Sequence, residues 1–283
     1  MKRLVPLLAL ASLIFLLAFG VARGDTVRSG TLDRAGATLY WEEHGDPANP
    51  PLVLLHGFGE SMLVWRPYQD ALAVNYDVVL LDLRGHGRST NSQKDFSFEE
   101  AADDLLTLMD HLHHPHFRAV GVSAGGIALL HAASKAPGRF DGLVVVDAAP
   151  EIGPQARARI HEIVADKDSL TYLRRFAARG DHQVNTLLRQ FAALADSSDA
   201  AVTSEQLAAI TAPTLIVYGD RDEFFPVEVA VGLFRSIRIS YLRVYPNGGH
   251  EPIYDPHAVE DFSHLLLEFF SGKWQHPGVE GAR

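Results

Sequence analysis

The chain has no cysteine among its 283 residues. This rules out disulfide bridges, thiolate metal sites and a cysteine nucleophile together, and leaves the redox compartment open. Positive charge is scarce: 25 Lys and Arg face 35 Asp and Glu, for a formal net charge of -10. Such an acidic balance favours solubility and argues against a nucleic-acid backbone as partner. No internal repeat or low-complexity segment is present. What remains is a 47% hydrophobic chain with 21% charged residues, enough apolar material for a large core and too much for global disorder. The length suits one α/β domain with a modest insertion.

The first 24 residues, MKRLVPLLALASLIFLLAFGVARG, stand apart. Lys2 and Arg3 precede an apolar run over 4–22. That is the layout of an export signal, with small residues that suit cleavage after Gly20 or Gly24. The run is also long enough to span a bilayer, so an uncleaved anchor is the alternative. Charge ahead of the run places the N-terminus inside and the body outside. The expected location is therefore exported (periplasmic or extracellular), or attached to a membrane by residues 1–24.

Beyond it, TVRSGTLDRAGATLYWEEHGDP reads as two short strands turning near Ala35 and Gly36. Six β-branched, leucine-rich runs follow: PLVLLHG (51–57), YDVVLLDLRG (76–85), FRAVGVSAG (117–125), DGLVVVDAAP (141–150), TLIVYGDRD (214–222) and YLRVYPNGGH (241–250). Runs of this kind suit strands buried on both faces. Helical spacing lies between them. Phe98, Ala102, Leu105, Met109 and Leu112 line one helix face, with Ser97 and Glu100 offering a capping box. Other helices are expected over 124–136, from Pro226 to Ile237, and from Asp255 and Pro256 to Phe270. Alternating strands and helices imply an α/β protein with a mainly parallel sheet covered on both faces. Residues 151–208 hold no strand-like run, and nearly sixty helical residues there read as a small cap. The body is thus 25–150 with 209–272, and the polar end, 273–283, is expected to be a flexible tail.

Ser123 sits in GVSAG between a predicted strand and a predicted helix. A G-x-S-x-G turn there strains the backbone and lifts the hydroxyl above the sheet edge. The first free N–H groups of the helix, beginning with Ala124, then face developing negative charge. A phosphate cradle would need a lysine after the glycines, or a longer glycine motif, and neither is present. A serine needs a base. Of the 14 histidines, His250 closes the last strand, on the edge where Ser123 lies. An orienting carboxylate is available at Asp147, Asp220 or Asp222, each at a strand end.

Four blocks carry a family resemblance: LLHGFGES at 54–61, DLRGHGRS at 82–89, GVSAGG at 121–126, and the GDRDEFFP and GGH strand endings. With the chain order Ser123, Asp222, His250 they resemble the α/β-hydrolase fold superfamily, in its serine esterase and lipase-like branch with a helical cap. The resemblance runs from about Leu39 to Phe270 and implies an eight-stranded-type sheet. It implies that Asp222 is the acid and that Asp220 closes the turn. It puts the oxyanion N–H donors at Phe58 and Ala124 and leaves His56 a structural role. Ser123 stands where haloalkane dehalogenases and epoxide hydrolases of this fold carry an aspartate. HGFG differs from the HGGG of hormone-sensitive-lipase-like esterases. The DLRGHGRS loop, with Arg84, His86 and Arg88, is expected to be a packing turn.

The implied enzyme is a serine hydrolase of carboxylic esters that uses neither metal nor organic cofactor, with a small-molecule ester or related acyl substrate. The same triad also supports C–C bond hydrolysis, perhydrolysis and acyl transfer. Outside that class stand a non-catalytic ligand receptor and a metal-dependent hydrolase built on HLHHPH at 111–116. In the latter, His111, His113 and His116 have zinc-hydrolase spacing, but Pro115 fills the aspartate position. Met62, Trp65, Phe224 and Phe225 are candidate pocket residues on site loops. Ile160, Ile163, Leu173, Phe176 and Leu187 are candidates from the cap. The cap also carries Arg157, Arg159, Arg174, Arg175, Arg179 and Arg189, most of them expected on solvated faces.

Overall fold

The computed structural model describes residues 27–274. The expected export segment, 1–24, lies outside the described residues, as does 275–283 of the expected tail 273–283; Trp274, within that range, packs on Tyr241 and Phe269. One eight-stranded sheet runs through the body in the order β1-β2-β4-β3-β5-β6-β7-β8. Its strands are β1 Arg28–Arg34, β2 Ala37–His44, β3 Pro51–Leu55, β4 Asp77–Leu81, β5 Phe117–Val122, β6 Phe140–Val146, β7 Thr214–Gly219 and β8 Ser240–Tyr245. β1 and β2 pair antiparallel, as do β2 and β4. Every other pairing is parallel. The hairpin turn is two residues long, with positive φ at Ala35 (45°) and Gly36 (77°), which matches strand twist. β1 alternates half-buried and exposed positions, whereas β4 and β7 are buried throughout. That contrast is why the central strands read as unbroken apolar runs.

The helices are α1 Arg66–Ala73, α2 Phe98–His111, α3 Ala124–Lys135, α4 Pro154–Ala165, α5 Asp168–Arg174, α6 Gly180–Ala195, α7 Ser204–Ala208, α8 Val227–Ser236 and α9 Val259–Phe270. One core packs the sheet against α2, α3 and α8 through Phe98, Ile127 and Leu233. The other packs its opposite face against α1 and α9 through Tyr68, Leu72, Phe262 and Leu266. α4, α5 and α6 form the inserted helical cap. Among the described residues no helix is long and apolar enough to cross a membrane.

Local details add to or change the sequence reading. Residues 169–195 are not one helix: α5 ends at Arg174, and α6 begins at Gly180, whose φ is 69°. α7, within 151–208, packs against α3 and α8 of the body. α9 starts at Val259; the residues before it form the 3-10 turn Pro252–Tyr254 and a short bend. α1 carries no clear signal, because Tyr68 and Leu72 are its only fully buried side chains in a polar segment.

The capping box at α2 is half formed. Ser97 Oγ accepts from Glu100 N at 3.3 Å. The Glu100 carboxylate is drawn away to Arg34 (2.7 Å) and Arg84 (3.2 Å). Arg84 and Asp104 form a bidentate pair at 2.7 Å for both bonds, with each side chain only 1% exposed. Arg34 joins Asp104 at 2.8 Å and so ties β1 to α2. The DLRGHGRS loop is therefore a structural anchor, and it faces the core. Leaving one member of a buried ion pair alone costs about 3–5 kcal/mol. Asp104→Ala should lower unfolding free energy by roughly that amount in a denaturant titration, since Arg84 then lies buried with only its single 3.2 Å contact to Glu100. A loss under about 1 kcal/mol, the ceiling for exposed pairs, would contradict this assignment.

Candidate active site

β5 ends in the turn that presents Ser123. Its backbone is at φ 49°, ψ -116°, a region that side-chain-bearing residues rarely occupy. Ser123 N donates to Val146 O at 2.8 Å, and Ser123 O accepts from Ile127 N at 2.9 Å, so the turn is held from both sides. A Cβ on Gly121 would lie 2.6 Å from Gly125, and one on Gly125 would lie 2.7 Å from His56 O. Gly126 has a similar role, since its Cβ would meet Ala148 at 2.6 Å. Only glycine lets β5, α3 and the neighbouring strand end approach so closely.

The loop after β8 brings in His250. Its Nε2 lies 3.0 Å from Ser123 Oγ, and its Nδ1 lies 3.0 Å from both Asp222 oxygens. The Asp222 side chain is fully buried, and its Oδ1 also accepts from Phe224 N (2.7 Å) and Phe225 N (3.1 Å). Of the three carboxylates the sequence offers, Asp222 is the one on His250. Asp220 sits in the turn, 3.9 Å from Arg221. Asp147, with φ 45°, bridges two loops: Oδ1 accepts from Gly219 N (3.1 Å) and Oδ2 from Glu251 N (2.9 Å). Asp147, Asp222 and His250 bring possible ligand atoms within 4.8 Å, but those atoms are already engaged in these hydrogen bonds.

Phe58 and Ala124 both line a cavity of about 370 Å³ that opens on Ser123 and His250. Ala124 opens α3, where amides have no intrahelical partner. Phe58 sits on a loop pinned by His56, whose Nδ1 faces Gly57 O (2.7 Å) and whose Nε2 accepts from Leu83 N (3.0 Å). Burial, aided by His86 nearby, drives the His56 pKa down to about 3, so the ring is neutral and structural. Phe224 and Phe225 line the cavity and pack on His250, with ring centroids 4.5 and 5.7 Å away. Ile160, Ile163, Leu173 and Leu187 close it from the cap.

Met62 and Trp65 are not pocket residues. Both are buried on the far face of the sheet with Tyr68 and Leu72, because the 3-10 turn Met62–Trp65 points them inward. Phe176 packs edge-on against Tyr172, away from the cavity lining. Of the six cap arginines Arg159 lines the cavity; Arg174 pairs with Asp181, and Arg157 reaches Ser197 O.

The sequence reading missed an acidic wall. Glu60, Glu223, Glu251 and Tyr172 all line the cavity. Glu60 is 2% exposed and accepts from Gly57 N (3.0 Å), Tyr172 Oη (2.6 Å) and Tyr254 Oη (3.1 Å). Glu251 follows His250 in left-handed backbone, and Glu223 Oε2 accepts from His250 N at 3.1 Å. Burial raises the Glu60 and Glu251 pKa values above the usual carboxylate range; in Glu251 the charge of Glu60 adds to it. Glu60 lies inside the LLHGFGES block, and Glu251 directly follows the GGH ending.

Fold and site together define an enzyme, a hydrolase of the serine, histidine and aspartate triad type. The chain belongs to the alpha/beta hydrolase fold family, whose sequence profile matches residues 50–196. It is 29% identical over 276 residues to a Caulobacter sp. (strain K31) protein named for carbamate hydrolysis, RutD, covering 87% of this chain and 99% of that one. It is 28% identical over 263 residues to a Vibrio vulnificus (strain CMCP6) pimeloyl-(acyl-carrier protein) methyl ester esterase, covering 82% and 97%. A crystal structure of a hydrolase from Pseudomonas aeruginosa PA01 superposes with TM-score 0.71 at 25% identity, covering 86% and 98%.

Burial opposes the His250 imidazolium, but the Asp222 hydrogen bond and the charges of Glu251, Asp222 and Asp147 outweigh it and hold the pKa up at about 9. The Asp147 carboxyl is itself pushed up by burial to about 8, so these groups titrate together. Only neutral imidazole can take a proton from Ser123. An upward shift means the base form accumulates as pH rises. The pH profile of kcat/KM should therefore climb between pH 6.5, the ordinary histidine value, and 9. A profile already flat at pH 6.5 would contradict this reading.

Proposed function

We propose that the protein hydrolyses carboxylic esters of small to medium acyl groups through an acyl-enzyme on Ser123. The observation that carries this is the unbroken contact from Ser123 Oγ through His250 to Asp222, opening on a cavity lined by Phe58 and Ala124. In this reading Ser123 Oγ attacks the ester carbonyl carbon as His250 Nε2 accepts its proton. The Phe58 and Ala124 N–H groups stabilise the oxyanion; a donor of this kind is worth about 10²–10³ in rate. Collapse breaks the bond to the alkoxy oxygen, and His250 returns the proton to the departing alcohol. Water, activated by His250, then attacks the acyl-enzyme and frees the acid and Ser123. Asp222 fixes the imidazole tautomer and stabilises its charged form.

The cavity supports the substrate class. Phe98, Ile127, Ile160, Leu187 and Phe191 make one part apolar, which suits an acyl chain. The named activities of the relatives, carbamate hydrolysis and methyl ester cleavage, also break a bond at a carboxyl-type carbon. Export, or attachment by residues 1–24, is part of the proposal and rests on Lys2, Arg3 and the apolar run 4–22.

An ester panel of graded acyl length tests the chemistry. Wild type should turn over short and medium esters and be labelled at Ser123 by a serine-reactive phosphonate. Ser123→Ala should lose about 10⁶-fold in kcat and Asp222→Asn about 10⁴-fold, while Asp220→Asn stays near wild type. Labelling elsewhere, or a larger loss at Asp220 than at Asp222, would overturn the assignment. For location, the intact mass of the protein recovered outside the cytoplasm should lack the leader or retain it with the membrane fraction; full-length protein found only in the cytosol counts against export.

A further inference from the structure

A second cluster lies at the other end of the sheet from the triad. Asp77 opens β4, Glu43 is near the end of the antiparallel β2, and His114 follows α2. Their side chains are 1%, 8% and 16% exposed. Arg28 binds one oxygen of each carboxylate: Nε donates to Glu43 Oε2 at 3.1 Å and Nη2 to Asp77 Oδ1 at 2.6 Å. The other two oxygens turn toward His114. Glu43 Oε1 is 3.4 Å from His114 Nε2, and Asp77 Oδ2 is 3.9 Å from the same atom. Asp77 Oδ2 is buried and accepts no hydrogen bond. The backbone holds His114 in place: its N donates to Met109 O (2.8 Å) and its O accepts from Arg139 Nη2 (3.0 Å).

A buried carboxylate oxygen without a donor is costly. A protonated His114 has one Nε2–H for two oxygens, and both distances exceed those of a good hydrogen bond. A tetrahedral zinc ion, with bonds of about 2.0–2.1 Å, spaces its ligand atoms roughly 3.4 Å apart. The three atoms here lie within 4.8 Å of one another. One imidazole nitrogen with two carboxylates suits zinc better than calcium or magnesium, which take oxygen ligands. We propose that Glu43 Oε1, Asp77 Oδ2 and His114 Nε2 form a structural zinc site, with water as fourth ligand, clipping the β1–β2 hairpin to the turn between α2 and β5. The HLHHPH segment thus contributes His114, and not His111, His113 and His116, the three with zinc-hydrolase spacing. His111 packs edge-on to Trp41, and His116 faces Asp141 at 3.9 Å.

The test uses the purified chain, stripped with a chelator and titrated with zinc chloride in a calorimeter, with melting followed in parallel. One equivalent should bind, and zinc at about a hundredfold over its Kd should raise Tm by roughly 5 °C. Calcium and magnesium should do neither. His114→Ala and Glu43→Gln should abolish uptake and the Tm rise, while His116→Ala keeps both. Should Glu43→Gln fail to fold, His114, the most exposed of the three at 16%, still supplies the variant. Absence of uptake by the wild type, or uptake that survives His114→Ala, overturns the proposal and leaves the cluster an ion-pair network.

Discussion

Ser123 occupies backbone space at φ 49° and ψ -116°, and the site is organised around keeping it there. Such a conformation costs on the order of 1–3 kcal/mol and persists only where its surroundings enforce it. Here the enforcement comes from the hydrogen bonds to Val146 and Ile127 and from the close approach at Gly121 and Gly125. That same approach seats α3 against the strand ends, which aims its first amides at the space above Ser123. A side chain at either glycine would push the helix away, and hydroxyl, amides and cavity would separate together.

Around this turn the protein gathers acid. Asp147, Asp222, Glu60 and Glu251 are all buried or half-buried near one imidazole. Their positions divide the work. Asp222 touches His250, whereas Asp147 ties the β7 end to the residue after His250. Glu60 anchors the loop that carries Phe58 and also receives a tyrosine from the cap. The sum is a local potential that favours imidazolium, the species that forms when Ser123 gives up its proton.

The cap is joined to the body by polar contacts. Gln183 donates to Gly85 O and Gly87 O at 2.8 and 3.0 Å, Gln190 donates to Lys94 O at 3.1 Å, and Gln155 donates to Asp222 O at 3.2 Å. Gln183 and Gln190 are buried, so their amides are well shielded. Leu173 Cδ2 reaches to 2.3 Å of where a Gly59 side chain would begin, and Gly59 has φ 83°, so a side chain there would strain the loop that carries Phe58 and displace Leu173. The apolar part of the cavity is therefore shaped jointly by α4, α6 and the body.

The sheet, the alternation of strands with helices apart from α1, and Ser123 and His250 as candidates were legible in the sequence. Strands buried on both faces must be continuously apolar, and a serine elbow must carry small residues at fixed offsets, so both constraints are local and leave a mark in the letters. The choice among Asp147, Asp220 and Asp222 rested on resemblance alone until the fold placed one of them on His250. Met62 and Trp65 were indistinguishable from Phe224 and Phe225 as loop apolar residues, yet one pair packs on the far side of the sheet and the other on the imidazole. Glu60 and Glu251, and likewise Glu43, Asp77 and His114, come from separate segments. Which side of a loop faces a cavity, and which distant acids share it, depends on packing between segments, and no local pattern of residues encodes that.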